Sequence, residues 1–402
     1  MRLLGNTYSS VFLLTATLMG AADASDFTRR VDSRPCLQIS IPVTIAADNY
    51  IFDGPVIANN SDVVEFSLAL DASDNTGNPV LGTAVVSGSF EISAQLCIPD
   101  AGAKASVLQI ASHGITFEKR YWDSEYRPER YSYVDAALSQ GYSILTYDRL
   151  GDGQSSRPDG IALVQAPLHV EILKFITDLA RSGQLLERSP VVAGVSPPSG
   201  QYQPTKIVHV GHSFGSAVIF LGVQKYPTMG DGIILTGYLT APRPSFPKLG
   251  VFGLQHAPSA DPARFGSPEN NYMVIGNKTN YHYAFLSART LDPGALDYHW
   301  SIRQTVTVGE WLSAFPILGN VNASAPDFSG PVLYFIGQRD RCFCPGSTCD
   351  AWVDETYLRT VWPSSGSLTT YLQPDTGHAL TSSTNATGGY QVMFSWLQAA
   401  GL

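Results

Sequence analysis

The sequence predicts an α/β fold, with a mostly parallel central sheet flanked by helices, a β-rich N-terminal extension and an inserted cap. Three observations predict it. From residue 104 onward, short apolar runs alternate with helical stretches, and repeated strand-helix-strand units require a largely parallel sheet covered on both faces. Residues 36–100 alternate apolar and polar positions instead, the period of half-buried strands. Residues 241–327 break the later rhythm with a long stretch rich in Pro, Gly, Asn and aromatics.

In the N-terminal part, Ile39, Ile41 and Val43 alternate with polar or small residues and predict a strand. Val63–Leu68 and Ser89–Ile92 read as further strands, and Asp71–Pro79 reads as a polar turn. Six apolar runs then define the parallel sheet: Ser106–Ile110, Tyr142–Tyr147, Lys206–Val210, Gly232–Thr236, Pro331–Ile336 and Leu368–Leu372. Helical segments separate them around Tyr133–Ser139, Pro167–Ala180 and Ala217–Gln224. The insertion falls between two of these strands and carries Phe246, Phe252, Phe265, Tyr272, Tyr281, Tyr283, Phe285 and Trp300, which predicts a cap over a site. The organisation expected is a leader at 1–24, a β-rich segment at 25–100, core at 101–240, cap at 241–327 and core again at 328–402. No internal repeat is visible.

The leader is expected from one positive charge at Arg2, an apolar stretch from Val11 to Met19, and the small-x-small pattern Ala22-Asp23-Ala24. Cleavage after Ala24 predicts a secreted protein, and the apolar stretch is too short to span a bilayer comfortably. Four Asn-x-Ser/Thr sequons, at Asn59, Asn277, Asn322 and Asn385, agree with export as glycosylation candidates. So do five cysteines that an oxidising compartment would pair. Cys36 with Cys97 could tie the N-terminal segment to the core, and two of Cys342, Cys344 and Cys349 could close a short loop. The last three could instead hold zinc, but no histidine sits at ligand spacing and no metal is expected. A formal net charge of −9 and the lack of a long Lys/Arg run argue against nucleic acid as a partner. No later segment has the character of a membrane span, and the oligomeric state is open.

Gly211-His212-Ser213-Phe214-Gly215 follows a predicted strand and opens a predicted helix. In that context Gly-x-Ser-x-Gly is a nucleophile elbow: the bend lifts the Ser213 hydroxyl off the sheet, and small residues are needed where strand and helix approach. The Phe214 N–H then sits at a helix start, where unpaired donors favour negative charge.

With this motif the chain resembles the α/β-hydrolase superfamily over about residues 90–400. Ser112-His113-Gly114-Ile115 looks like its oxyanion loop, and Tyr147–Ser155 looks like its Asp-x-x-Gly-x-Gly-x-Ser turn. Gly337-Gln338-Arg339-Asp340 looks like the acid turn, and Thr376-Gly377-His378 like the histidine turn. The resemblance implies Ser213 as nucleophile, Asp340 as acid and His378 as base, in the chain order this fold requires. Only His378 of the eight histidines lies beyond the candidate acid. Asp350 and Asp354 are fallback acids, and Asp375 is a poorer one. The oxyanion donors implied are the Ile115 and Phe214 N–H groups. His113 and His212 are candidate substrate contacts, although His113 is expected to order its loop and His212 to pack beside the sheet. Asp148, Arg149 and Ser155 are expected to be structural, and His282 in the cap is a further candidate contact.

A serine nucleophile directs expectation to acyl transfer without cofactor: cleavage of esters or lactones of apolar small molecules, with thioesters and metabolite tailoring as neighbouring possibilities. An aminopeptidase-type hydrolase would need an acidic pocket, for which Asp261 and Glu269 are the candidates. A non-catalytic relative that only binds a ligand would usually have lost a triad member, and here all three residue types are present.

Overall fold

The computed structural model describes residues 34–54, 56–72, 80–99, 103–196, 201–240, 249–266, 271–318, 323–344, 346 and 348–402. The leader, Asn322 and Glu269 lie outside these residues, as does most of the turn expected at 71–79.

A nine-stranded sheet organises the chain, in the order β12-β11-β7-β6-β3-β4-β2-β1-β5. Six of its strands are parallel: β3 (Val107–Ser112), β4 (Ser143–Tyr147), β6 (Lys206–His212), β7 (Gly232–Thr236), β11 (Val332–Gly337) and β12 (Leu368–Gln373). These are the six apolar runs of the sequence. Their continuous apolarity has a physical cause, since β3, β4, β7 and β11 are buried along their whole length while edge strand β12 is only half-buried.

On the other side, β1 (Cys36–Phe52) and β2 (Val80–Cys97) form a long antiparallel pair. Cys36 lies directly opposite Cys97 and the two form a disulfide. A short strand missed in the sequence, β5 (Val191–Gly194), adds antiparallel to β1.

Between β1 and β2 the sequence reading needs correction. Val63–Leu68 is not a strand but part of helix α1 (Asn60–Ala72). Val63, Phe66 and Leu70 are buried at helical spacing, while Val64 and Leu68 face outward. The Asn59 side chain accepts the Ser61 and Asp62 N–H groups at 2.8 and 3.2 Å, satisfying the first turn.

Helix α2 (Tyr133–Ser139) precedes β4, α3 (Ala166–Arg181) precedes β6, and α4 (Phe214–Lys225) follows it. One apolar cluster joins α3 and α4 to β1, through Ile172, Leu173, Ala217 and Ile39. A second joins α2 to the C-terminal helix through Val134 and Phe394. The sheet is thus covered on both faces.

The insertion between β7 and β11 carries a three-stranded antiparallel sheet of β8 (Leu254–His256), β9 (Tyr272–Ile275) and β10 (Thr305–Thr307). It also carries α5 (Lys278–Phe285), α6 (Pro293–Ile302) and α7 (Val308–Leu318). The α1 excursion docks onto it. Asn271 accepts the Ile57 N–H at 2.8 Å, Asp71 accepts that of Leu249 at 2.7 Å, and Asn60 accepts that of His256 at 2.9 Å. Helices α8 (Glu355–Val361) and α9 (Ala386–Ala399) complete the C-terminal part. Among the described residues no helix is long and apolar enough to cross a membrane.

Candidate active site

Ser213 stands between β6 and α4 with φ 54° and ψ −120°, a backbone state that side-chain-bearing residues rarely adopt. The cause is the sharpness of the bend. An added Cβ on Gly215 would lie 2.3 Å from the Ser112 carbonyl oxygen, and one on Gly211 would lie 2.5 Å from the Ser216 Cα. Only glycine permits both approaches. The Ser213 N–H donates to the Thr236 carbonyl at 2.9 Å, which ties the bend to the end of β7. Ser213 itself is half-buried.

The loop after β3 presses against this serine. A Cβ added to Gly114 would lie 2.8 Å from the Ser213 Cβ. The neighbouring groups of the loop are held. Arg149 donates from Nε to the His113 carbonyl at 3.0 Å and from Nη2 to the Gly114 carbonyl at 3.2 Å. Thr116, at φ 63°, donates its N–H to Thr305 O at 3.1 Å and accepts from the Gln304 N–H at 2.8 Å. The Ile115 N–H between them has no hydrogen-bond partner among the described residues, and neither has the Phe214 N–H at the start of α4. Free donors on the two segments that meet at Ser213 are the groups that can receive an oxyanion.

His378 and Asp340 are brought together from loops 38 residues apart. The His378 Nδ1 lies 2.7 Å from Asp340 Oδ2, and both side chains are buried. The other carboxylate oxygen accepts the Cys342 and Phe343 N–H groups at 2.8 and 3.2 Å. With Nδ1 paired to the carboxylate, Nε2 of the neutral ring is the atom left to take a proton. Gly237, one residue beyond the Thr236 that holds Ser213, lies against the same ring: an added Cβ would be 3.2 Å from His378 Cε1. Serine is therefore bonded to the end of β7, and the histidine ring lies beside it. Phe285 of the insertion and Phe343 stack near His378 at 5.7 and 5.8 Å.

The fallback acids do other work. Asp350 accepts from the Gln338 amide at 3.2 Å, Asp354 caps α8 through the Tyr357 N–H at 3.0 Å, and Asp375 pairs with Arg339 at 2.8 Å. Asp261 caps a one-turn helix by accepting the Arg264 N–H at 3.2 Å.

His113 and His212, the candidate substrate contacts, are both fully buried. His113 accepts the Arg149 N–H at Nε2 (2.9 Å), and its Nδ1 bonds Gly114 O at 2.8 Å. Burial, with the Arg149 charge behind it, holds its pKa well below the usual range. His212 stacks on Tyr121 at 4.3 Å and lies edge-on to Phe117. His282 is half-buried on α5.

Among the cysteines, Cys344 pairs with Cys349 and Cys342 is unpaired. Among the sequons, Asn59 and Asn277 are exposed. Asn385 is half-buried, and its amide donates to Pro374 O at 2.9 Å while accepting from Thr376 at 3.0 Å, so it braces the histidine loop.

Sequence reasoning missed one group. Arg149 is buried and pairs with Glu310 of α7, with Asp152 at 3.1 Å, and with His169 Nε2 at 3.2 Å. Burial and the Glu310 charge push the Asp152 carboxyl well up. Burial would raise Glu310 too, but Arg149 and His169 outweigh it and hold that carboxyl at about 2. The insertion is thus ionically fastened to the oxyanion-type loop. Only the presence of Arg149 in the glycine-rich turn hinted at this.

A model of the "Alpha/beta hydrolase family" matches residues 110–386. Among solved structures, the chain is similar to a thermophilic esterase from Thermogutta terrifontis at 17% identity, covering 78% of this chain and 95% of that one, with TM-score 0.50. It is also similar to a carboxylesterase from Nitrososphaera gargenis at 14% identity, covering 78% and 96%, with TM-score 0.50. Identities this low speak to the fold. No curated protein matches the chain.

Proposed function

The chain belongs to the alpha/beta hydrolase family, and we propose on that footing that it is a secreted serine hydrolase cleaving carboxylic esters or lactones of apolar small molecules. The observation that carries this reading is the strained bend that sets Ser213 against the Gly114 loop at the end of β7, where the His378–Asp340 pair also lies. Ser213 Oγ attacks the substrate carbonyl carbon, and its proton passes to His378 Nε2. Asp340 keeps Nδ1 protonated and stabilises the imidazolium. The Ile115 and Phe214 N–H groups receive the oxyanion, each donor of this kind being worth about 2.7–4 kcal/mol in the transition state. The alcohol leaves with the proton from His378. Water, deprotonated by the same nitrogen, then releases the acid.

The insertion acts as a cap in this reading. Phe285, Tyr281 and Phe252 form one aromatic cluster with Phe117 of the core, an environment suited to an apolar acyl or alcohol group. Assaying purified protein on p-nitrophenyl esters of graded acyl length, beside lactones and aminoacyl anilides, tests it. Ester or lactone turnover with a preference for apolar acyl groups is expected; turnover of the anilides alone would overturn the reading.

Export is supported by the two disulfides and the exposed sequons at Asn59 and Asn277. Protein recovered outside the expressing cell should begin at Ser25 and carry glycans at those two asparagines. A mature chain beginning at Met1 removes the signal peptide.

A further inference from the structure

We propose that Cys342, Asp340 and His378 form an inhibitory site for a thiophilic divalent cation such as Zn²⁺ or Cd²⁺, which switches the hydrolase off by capturing its base. The proposal rests on the serine-hydrolase reading for its effect on turnover, but its binding chemistry stands on the geometry alone. The Cys342 sulfur, a carboxylate oxygen of Asp340 and a ring nitrogen of His378 lie within 4.8 Å of one another, and all three residues are buried. Thiolate, imidazole and carboxylate are the donors that zinc-like cations take together. Zinc bonds of about 2.0–2.3 Å set tetrahedral donors roughly 3.5 Å apart, so the three atoms need draw in by only about 1 Å.

The thiol is available to such an ion. Cys342 lies in neither disulfide, and its Sγ makes only a weak 3.5 Å contact with the Ala284 carbonyl. Burial and the neighbouring Asp340 push the thiol well up, so it is neutral and a poor target for alkylation until a cation displaces its proton. The surrounding loop is already ordered. Cys344 donates its N–H to Asp340 O at 3.0 Å, Cys349 donates to Gln338 O at 2.8 Å, and the disulfide joins the two cysteines. The sequence hid the site because His378 is 36 residues beyond Cys342, outside any zinc-motif spacing.

Inhibition follows from proton placement. A cation that takes the Nδ1 lone pair forces the imidazole proton to Nε2, and the thiol proton leaves to solvent. Nε2 then has no lone pair to receive the Ser213 proton, and Asp340 is engaged with the metal.

The test uses the full-length protein, freed of metal with a chelator, and CdCl₂ as the probe. Two readouts are taken: ester turnover, and the ultraviolet thiolate-to-Cd²⁺ charge-transfer band recorded without substrate. The wild type should gain the band at one Cd²⁺ per chain and lose turnover in parallel, both reversed by chelator. In Cys342→Ala and Cys342→Ser the band should vanish, and half-inhibition, scored against each variant's own metal-free rate, should need at least tenfold more Cd²⁺. His378→Ala should weaken binding as read by the band. A wild type with no band, or Cys342 variants inhibited at the wild-type concentration, overturns the proposal. A band that obeys these rules in a protein without ester turnover upholds the site and refutes the hydrolase reading instead.

Discussion

Replacing Ser213 with alanine is expected to abolish labelling by a fluorophosphonate and to lower ester turnover by on the order of 10⁴-fold or more. Only the hydroxyl is removed, so the oxyanion donors at Ile115 and Phe214 and the His378–Asp340 pair remain, and substrate binding should change little. The bend supplies a second measurement. At φ 54° any residue but glycine is strained, typically by about 1–3 kcal/mol, while glycine loses roughly 0.5–1 kcal/mol in chain entropy. Ser213→Gly should therefore be as inactive as Ser213→Ala yet more stable by about 1 kcal/mol, read as a shift in the denaturant midpoint. Labelling that survives either substitution removes Ser213 as nucleophile. An alanine variant as stable as the glycine variant removes the strain.

What the sequence made legible follows from which forces are local. The parallel strands were readable because burial on both faces demands short, continuous apolar runs, as in Gly232–Thr236 and Pro331–Ile336. The elbow was readable because two glycines are sterically compelled within five residues. Helix α1 was misread because Val63-Val64 is β-branched and locally strand-like, and only docking on the insertion fixes Val63, Phe66 and Leu70 as its inner face. Strand β5 is four exposed residues whose pairing with β1 is a tertiary fact. For His113 and His212 the sequence indicated an ordering and a packing role, but not the partners that fill them, the Arg149 N–H on His113 and the Tyr121 ring on His212. Nor could spacing reveal that Glu310 meets Arg149 across 161 positions.

That ion pair carries the second large effect. Glu310→Ala should destabilise the protein by about 3–5 kcal/mol, because it leaves the fully buried Arg149 guanidinium without its main counter-charge. Asp152 replaces it only in part: losing Glu310 removes one of the two causes that keep its carboxyl neutral, but burial still opposes its charge. Removing both charges at once is a different experiment. A buried pair exchanged for apolar side chains of similar volume is often near neutral, so Arg149→Met with Glu310→Leu should recover most of the lost stability. Turnover should not recover with it. Arg149 is the donor that fixes the His113 and Gly114 carbonyls, and these set the direction of the Ile115 N–H. The apolar pair cannot make those bonds, and a donor displaced by a fraction of an ångström loses much of its transition-state contribution. The expected pattern is thus a single variant that is unstable, and a double variant that melts near the wild type yet turns over at least tenfold more slowly, with KM little changed. Denaturant midpoints and steady-state kinetics on the three proteins decide it. A double variant as unstable as Glu310→Ala would mean the two charges are not one unit. A stable double variant with wild-type turnover would mean that Gly114 packing, the Thr116 bonds and the His113 bond to the backbone N–H of residue 149 suffice to hold the oxyanion loop.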